Sequence, residues 1–175
     1  MWDIESATEK YPERGQCLRD LFYVTLDGER KRITDFKGRS NLVLILTDNL
    51  NERLLDDVAQ SYPEVTLREA HVITVLKCKP TEAVRARDSR RWPFDVVVDP
   101  KGALHREFGS EDESGATGMT VCITDCWAEV FFVCRTVDGD SAPDIKDVLE
   151  WLTVVNYQCP ECFPPERPVR SEIQQ

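Results

Sequence analysis

The chain has 175 residues, 41% of them hydrophobic and 9% aromatic, and this composition is typical of one globular domain and excludes a disordered or fibrous chain. Its 32 acidic residues outnumber 22 lysines and arginines, and the formal net charge of -10 argues against a nucleic-acid partner because phosphates repel an acidic surface. No apolar run approaches the roughly 20 residues of a membrane span, so we expect a cytoplasmic chain without a membrane partner. The seven cysteines have scattered spacings, so we expect most of their thiols to be reduced.

The first part of the chain is predicted to be an irregular arm followed by a β-hairpin. A proline and a glycine interrupt any periodicity over residues 1–20, which favours an arm without regular structure. Residues 22–26 alternate weakly between apolar and polar, and Asp27-Gly28 has the chemistry of a hairpin turn. The return strand is expected near residues 30–34.

Residues 21–156 are predicted to form one domain in which strands and helices alternate. The run LVLIL at 42–46 is apolar at every position, which suits a strand covered on both faces. The elements expected after it are a helix over 50–62 ended by Pro63, a strand over 69–76, a helix over 81–90 opened by Pro80, a strand over 92–98, a turn at 99–102, a short helix over 103–108, a polar loop over 109–118, hairpin strands over 120–124 and 129–134, and a last helix opened by Pro143.

This order of elements predicts an α/β protein with a thioredoxin-like fold. Two β-α-β crossovers followed by a hairpin and a packing helix give a central mixed sheet flanked by helices, with the N-terminal hairpin as an extension. The proline-rich residues 157–175 are expected to form an irregular tail.

Five segments share their order and spacing with a known superfamily. They are LDG at 26–28, TDFKGR at 34–39, LVLIL at 42–46, PF at 93–94 with VVVDPKG at 96–102, and VCITDCWAEV at 121–130. By these segments the chain resembles the thioredoxin-like superfamily, in its peroxiredoxin and redoxin branch, also called alkyl hydroperoxide reductase-like. The resemblance implies the same fold, a thiol-dependent oxidoreductase activity without a cofactor, and a homodimer.

The position that carries the chemistry in that branch holds no cysteine here. The resemblance places the reactive thiol at the start of the helix after the first core strand, where free N–H groups and the helix dipole stabilise a thiolate. Leu50 and Arg53 have the spacing of a C-x-x-C pair, but neither is redox-active, and Asn51 is expected to cap or hydrogen-bond at this helix start. Gly118-Met119-Thr120 also lacks the cis-proline that faces the thiol in thioredoxin-like proteins. The sequence therefore predicts a degenerate active site.

The remaining candidate for catalysis is Cys159-Pro160-Glu161-Cys162, beyond the last helix. Two residues between two thiols allow them to close a disulfide or to bind one metal ion together. Three interpretations stay open: structural thiols, a redox-active dithiol, or a metal site. No second C-x-x-C and no nearby histidine would complete four zinc ligands within one chain, so we predict no metal centre and assign Cys159 and Cys162 as the candidate catalytic pair.

The other cysteines are given structural interpretations. Cys122 and Cys126 are four residues apart, and an extended chain would separate their α-carbons by roughly 13 Å, beyond the reach of a disulfide. Cys122 and Cys134 are expected to be small buried side chains. Cys78, at the end of a strand, is expected to be more exposed, and Cys17 lies in the arm.

The two histidines and the acidic residues of the sequence do not indicate acid-base catalysis. His71 and His105 belong to no visible Cys-His or Ser-His-Asp arrangement, and we predict structural roles for both. The carboxylates of residues 111–113 fall in the polar loop, which is expected to be flexible and solvated.

Two functions follow from the sequence, and whether the chain is an enzyme stays open. The first is a thiol-disulfide or peroxide-linked oxidoreductase in which Cys159 and Cys162 supply the electrons to a thiol or disulfide protein partner. The second is a non-catalytic thioredoxin-fold module for interaction or assembly. A helix start without its cysteine favours the second, because the preorganised electrostatics that activate a thiol are lost.

Overall fold

The computed structural model describes residues 11–158, apart from the side chain of Asp138. The strands are β1 Phe22–Val24, β2 Arg30–Arg32, β3 Asn41–Thr47, β4 Ala70–Leu76, β5 Asp95–Val98, β6 Thr120–Thr124 and β7 Val130–Arg135. The helices are α1 Arg53–Gln60, α2 Tyr62–Leu67, α3 Pro80–Arg90, α4 Ala103–Phe108 and α5 Ile145–Tyr157. Within residues 11–158, none of these helices has the length and apolar character needed to cross a membrane.

A five-stranded mixed sheet in the order β5-β4-β3-β6-β7 forms the centre of the domain. Strands β3, β4 and β5 are parallel, and β6 runs antiparallel to both β3 and β7. We call the edge at which β3, β4 and β5 begin the amino edge, and the edge at which they end the carboxyl edge. The predicted fold class, a mixed sheet flanked by helices with a small N-terminal hairpin, is confirmed.

The two faces of the sheet carry two separate core clusters. Every residue of β3 is buried, with Val43 and Ile45 in the first cluster and the leucines at 42, 44 and 46 in the second. Helices α1, α2, α3 and α5 contribute to the first cluster, while α4, the β1-β2 hairpin and the arm contribute to the second. Burial on both faces explains why this strand is apolar at every position.

Helix α1 is shorter than the predicted helix over 50–62, helix α2 was not predicted, and helix α5 begins later than expected. Helix α1 ends at Gln60, and Pro63 lies in the first turn of α2 instead of ending a helix, because a proline in that turn removes no intrahelical hydrogen bond. Helix α5 begins at Ile145 and not at Pro143. Its start is set by Asp144, whose side chain accepts from Asp147 N at 2.9 Å while Asp147 accepts from Asp144 N at 3.0 Å.

The hairpin is held to the amino edge of the sheet by one carboxylate. Asp95 accepts hydrogen bonds from Tyr23 Oη at 3.1 Å and from Lys31 Nζ at 2.9 Å, and its Oδ2 lies 2.8 Å from His71 Nε2. Burial alone would raise the pKa of Asp95, but these partners outweigh it and lower the pKa from 3.8 to about 2. His71, stacked on Phe36 with ring centroids 4.5 Å apart, therefore has a structural role, as predicted.

Candidate functional site

The start of α1, at the carboxyl edge, is the position where the resemblance expects a thiol. The turn before it is closed by side chains: Asn49 N donates to Thr47 Oγ1 at 3.1 Å, and Asn51 N donates to Asn49 Oδ1 at 3.0 Å. Leu50 is partly buried and packs against the first core cluster. The N-cap residue Glu52 makes no side-chain capping hydrogen bond. No sulfur lies in this turn, and neither Leu50 nor Arg53 can replace one.

An arginine from α3 occupies the approach to this helix start. Arg90 Nη2 donates to Asn51 Oδ1 at 2.5 Å, and Arg90 Nη1 donates to Asp56 Oδ2 at 2.6 Å. Trp92 Nε1 donates to the other oxygen of Asp56 at 3.1 Å, and the Arg90 guanidinium lies 5.9 Å from the Trp92 ring centroid. Asn51 thus hydrogen-bonds at the helix start as expected, but its partner is a cation that ties α1 to α3.

The segment before β6 is also engaged by its own chain. Gly118 N donates to Ser110 O at 2.8 Å, and Met119 N donates to Thr136 Oγ1 at 2.7 Å. No cis peptide bond occurs in residues 11–158. The backbone that a thioredoxin-like protein would offer to a thiol substrate at this position therefore already has internal partners.

Among residues 11–158, no two cysteines form a disulfide with each other. Cys122 and Cys134 are buried as predicted, and burial raises the pKa of Cys122 to about 12. Cys78 precedes helix α3, but burial and the carboxylate of Glu82 raise the pKa of its thiol, and an Ala83 N–H offsets this only in part. Burial, followed by nearby Asp125, likewise raises the pKa of Cys126. These three thiols lack the lowered pKa of a reactive cysteine.

The predicted catalytic pair, Cys159 and Cys162, lies outside the described residues. Helix α5, the last described element, ends at the amino edge. Asn156 Oδ1 accepts from Asn41 Nδ2 at 2.7 Å, and Asn156 Nδ2 donates to Arg68 O at 2.9 Å, which holds the end of α5 at the amino edge. The start of α1 lies at the carboxyl edge, separated by the seven residues of β3, or about 20 Å.

A buried carboxylate–histidine pair was missed by sequence reasoning. His105 Nδ1 lies 2.9 Å from Asp99 Oδ2, with side-chain exposures of 0% and 8%. Asp99 also accepts from Ala103 N at 2.9 Å and from His105 N at 3.0 Å, so it caps α4 as well. The signal in the sequence is an aspartate at a strand end followed six residues later by a histidine in a short apolar helix.

The polar loop 109–118 is more ordered than its composition suggests. Glu111, predicted to be solvated, accepts from Lys77 Nζ at 2.8 Å and pairs with Arg106 at 3.3 Å. Lys77 also donates to Thr117 Oγ1 at 3.0 Å, and Glu111 and Thr117 form an isolated antiparallel β-bridge. Lys77 follows β4, so its ammonium group holds the loop to the carboxyl edge. The sequence of the loop gives no sign of this contact.

No protein-family model matches the sequence, and no curated protein matches it either. Solved structures match most of the chain. AhpC from Mycobacterium bovis has a TM-score of 0.69 at 16% identity, over 85% of this chain and 96% of that one. The peroxidoxin BcpB from Mycobacterium tuberculosis has a TM-score of 0.67 at 15% identity, over 83% and 97%. A thiol peroxidase from Chromobacterium violaceum has a TM-score of 0.64 at 14% identity, over 85% and 90%. The chain has the peroxiredoxin form of the thioredoxin-like fold, as the resemblance implied.

Proposed function

We propose that this chain is a redoxin-like thiol-disulfide oxidoreductase whose working thiols are Cys159 and Cys162. The peroxiredoxin form of the fold carries the proposal, and the Arg90–Asn51 hydrogen bond at the place expected for the family's cysteine means that a working thiol has to lie elsewhere in the chain. Similarity to structures named as a peroxidoxin and a thiol peroxidase supports the redox class. The raised pKa values of Cys78, Cys122 and Cys126 support the choice of the C-terminal pair.

The reaction is a two-electron exchange between sulfur atoms. One thiolate of the Cys159–Cys162 pair attacks a substrate disulfide, forming a mixed disulfide and releasing one substrate thiolate. The second cysteine attacks the mixed disulfide, which closes the C-x-x-C disulfide and releases the second substrate thiolate. Two thiols of the chain are oxidised, the substrate disulfide is reduced to two thiols, and an external dithiol resets the pair.

Turnover of a disulfide substrate tests this proposal. We expect the wild-type protein to accelerate the reduction of insulin disulfides by dithiothreitol, and the double variant Cys159→Ser/Cys162→Ser to lose this activity. The matched control is Cys78→Ser/Cys126→Ser, which removes two other thiols, both partly exposed, and should retain the activity. Activity that survives in the first variant and disappears in the second would refute the assignment.

A non-catalytic interaction or assembly module is the second candidate. It is favoured because the start of α1 holds no thiol and is occupied by the hydrogen bonds of Arg90 with Asn51 and Asp56. Its surfaces would be the sheet edges and helix faces through which a homodimer could form. The two outermost strands of the sheet, β5 and β7, are partly covered by the chain itself. Leu26 N donates to Val96 O on β5, and Leu18 N donates to Ala128 O beside β7. Sedimentation and pull-down experiments together test this candidate. A protein that is monomeric at micromolar concentration and captures no partner in pull-downs would contradict it.

A further inference from the structure

The buried histidine of α4 has one nitrogen without a partner. The pKa of Asp99 is lowered, because hydrogen bonds from His105 and Ala103 outweigh the effect of burial, so its carboxylate is ionised at neutral pH. An ionised carboxylate only accepts hydrogen bonds, and the proton between the two side chains is therefore on His105 Nδ1. His105 Nε2 is fully buried and has no hydrogen-bond partner in residues 11–158.

Two buried hydroxyl groups, on segments that follow α4 in the chain, also have no hydrogen-bond partner among the described residues. Ser110 and Thr120 have no exposed surface, and neither Ser110 Oγ nor Thr120 Oγ1 has a partner in the described part of the chain. Ser110 closes the end of α4, where its N–H donates to His105 O at 2.8 Å. Its own carbonyl accepts from Gly118 N, two residues before Thr120. Helix α4, Ser110 and Thr120 are thus connected by backbone hydrogen bonds.

Thr120 points to the face of the sheet that α4 covers. Along β6, Val121 and Ile123 belong to the first core cluster and Cys122 to the second, so alternation directs Thr120 to the second. The partner of Thr120 on β7 is Arg135, whose Nε donates to Phe108 O at the end of α4 at 2.7 Å. The hydroxyl of Thr120 therefore lies beneath the C-terminal end of the helix that carries His105.

We propose that His105 Nε2, Ser110 Oγ and Thr120 Oγ1 bind one internal water molecule. Buried polar atoms are almost always hydrogen-bonded, and a buried water typically makes about three hydrogen bonds. The three atoms suit this ligand, since water can donate to or accept from a ring nitrogen, and each hydroxyl both donates and accepts. The water links the Asp99–His105 pair to the start of β6 and fastens α4 and the polar loop onto the sheet.

Crystallography of the wild-type protein at a resolution that shows ordered water tests the site directly. We expect one fully occupied water within hydrogen-bond distance of all three atoms. A direct hydrogen bond from Ser110 or Thr120 to His105 Nε2, or a site without water, would overturn the proposal.

Nitrogen NMR gives a second test. The chain has two histidines, so in a His71→Gln background His105 gives the only labelled imidazole signals. We expect the Nε2 resonance to shift on adding Ser110→Ala/Thr120→Val. The control is Thr74→Val, which removes an equally buried, unpartnered hydroxyl on the opposite face and should leave this resonance unchanged. An Nε2 resonance that stays at the same position in the double variant would refute the shared site. If the double variant does not fold, the crystal structure of the wild-type protein decides.

Discussion

Arg90 and Asn51 are 39 residues apart in the sequence and are joined by a hydrogen bond of 2.5 Å at the start of helix α1. In the superfamily that the chain resembles, this helix start stabilises a thiolate through its free N–H groups. Here the same place holds an amide and a guanidinium that is shared with Asp56. At this helix start the chain has a contact between two helices and no thiol.

The first prediction concerns that contact. Arg90→Met should lower the free energy of unfolding by about 1 kcal/mol, because it removes two hydrogen bonds to partly exposed partners and leaves Asp56 with Trp92 alone. Urea denaturation measures the effect. The control Arg53→Met removes an arginine that is 90% exposed and pairs with Asp57 at 3.3 Å, so its effect should stay within about 0.5 kcal/mol. Equal losses in the two variants would contradict the structural role of Arg90.

The second prediction concerns acid stability. The pKa of Asp95 is about 2 in the folded state against an ordinary 3.8, so the folded protein binds this proton less tightly than the unfolded chain does. The resulting stabilisation is complete above the unfolded pKa and is lost as the pH falls from about 4 toward 2. It amounts to about 2 kcal/mol, since one pKa unit corresponds to about 1.4 kcal/mol.

Asp95→Asn separates this effect from that of other carboxylates. The difference in unfolding free energy between wild type and variant should be largest near pH 7 and should shrink by about 2 kcal/mol toward pH 2. Denaturant titrations at several pH values measure it. A difference that stays constant with pH would show that the ionised form of Asp95 contributes nothing to stability.

The third prediction concerns thiol reactivity. Cys122 is fully buried with a pKa raised to about 12, whereas Cys17 lies in an exposed part of the arm. Because the thiolate is the nucleophile, brief treatment of the native protein with iodoacetamide at pH 8 should label Cys17 and spare Cys122. Peptide mass spectrometry reads the sites. In urea both residues should be labelled, and labelling of native Cys122 at the rate of Cys17 would contradict the described burial.

The fourth prediction concerns the polar loop. Lys77→Met removes the cation that holds Glu111 and Thr117, so amide hydrogen exchange over residues 109–118 should become faster. Lys79→Met, two residues further along, is the control because the Lys79 side chain is exposed and joins no ion pair found within residues 11–158. Unchanged exchange in the Lys77 variant would mean that the backbone alone orders the loop.

The architecture could be predicted because it depends on local patterns. A run of apolar residues from Leu42 identified the central strand, since a strand buried on both faces has no polar side, and Asp27-Gly28 identified the hairpin. The role of Pro63 was predicted wrongly because a proline can either end a helix or lie in the first turn of one. Only the packing of α2 shows which of the two roles Pro63 has.

The side-chain chemistry of the carboxyl edge could be predicted only in part. The absence of cysteine between Thr47 and Arg53 is visible in the sequence. The partners that replace it are not, because Arg90 reaches Asn51 from another helix. The same holds for Lys77 and Glu111, 34 residues apart. Such pairs depend on how elements pack, and a single sequence carries no periodic signal for them.

The central claim, that Cys159 and Cys162 are the working thiols, is tested most directly by their ionisation. A thiolate absorbance titration of the wild-type protein, compared with Cys159→Ser and Cys162→Ser, gives the pKa of each thiol. We predict that one of the two titrates well below the usual value of about 8.5, and that its low-pH transition disappears when that residue is replaced. Two ordinary transitions for Cys159 and Cys162 would contradict the assignment.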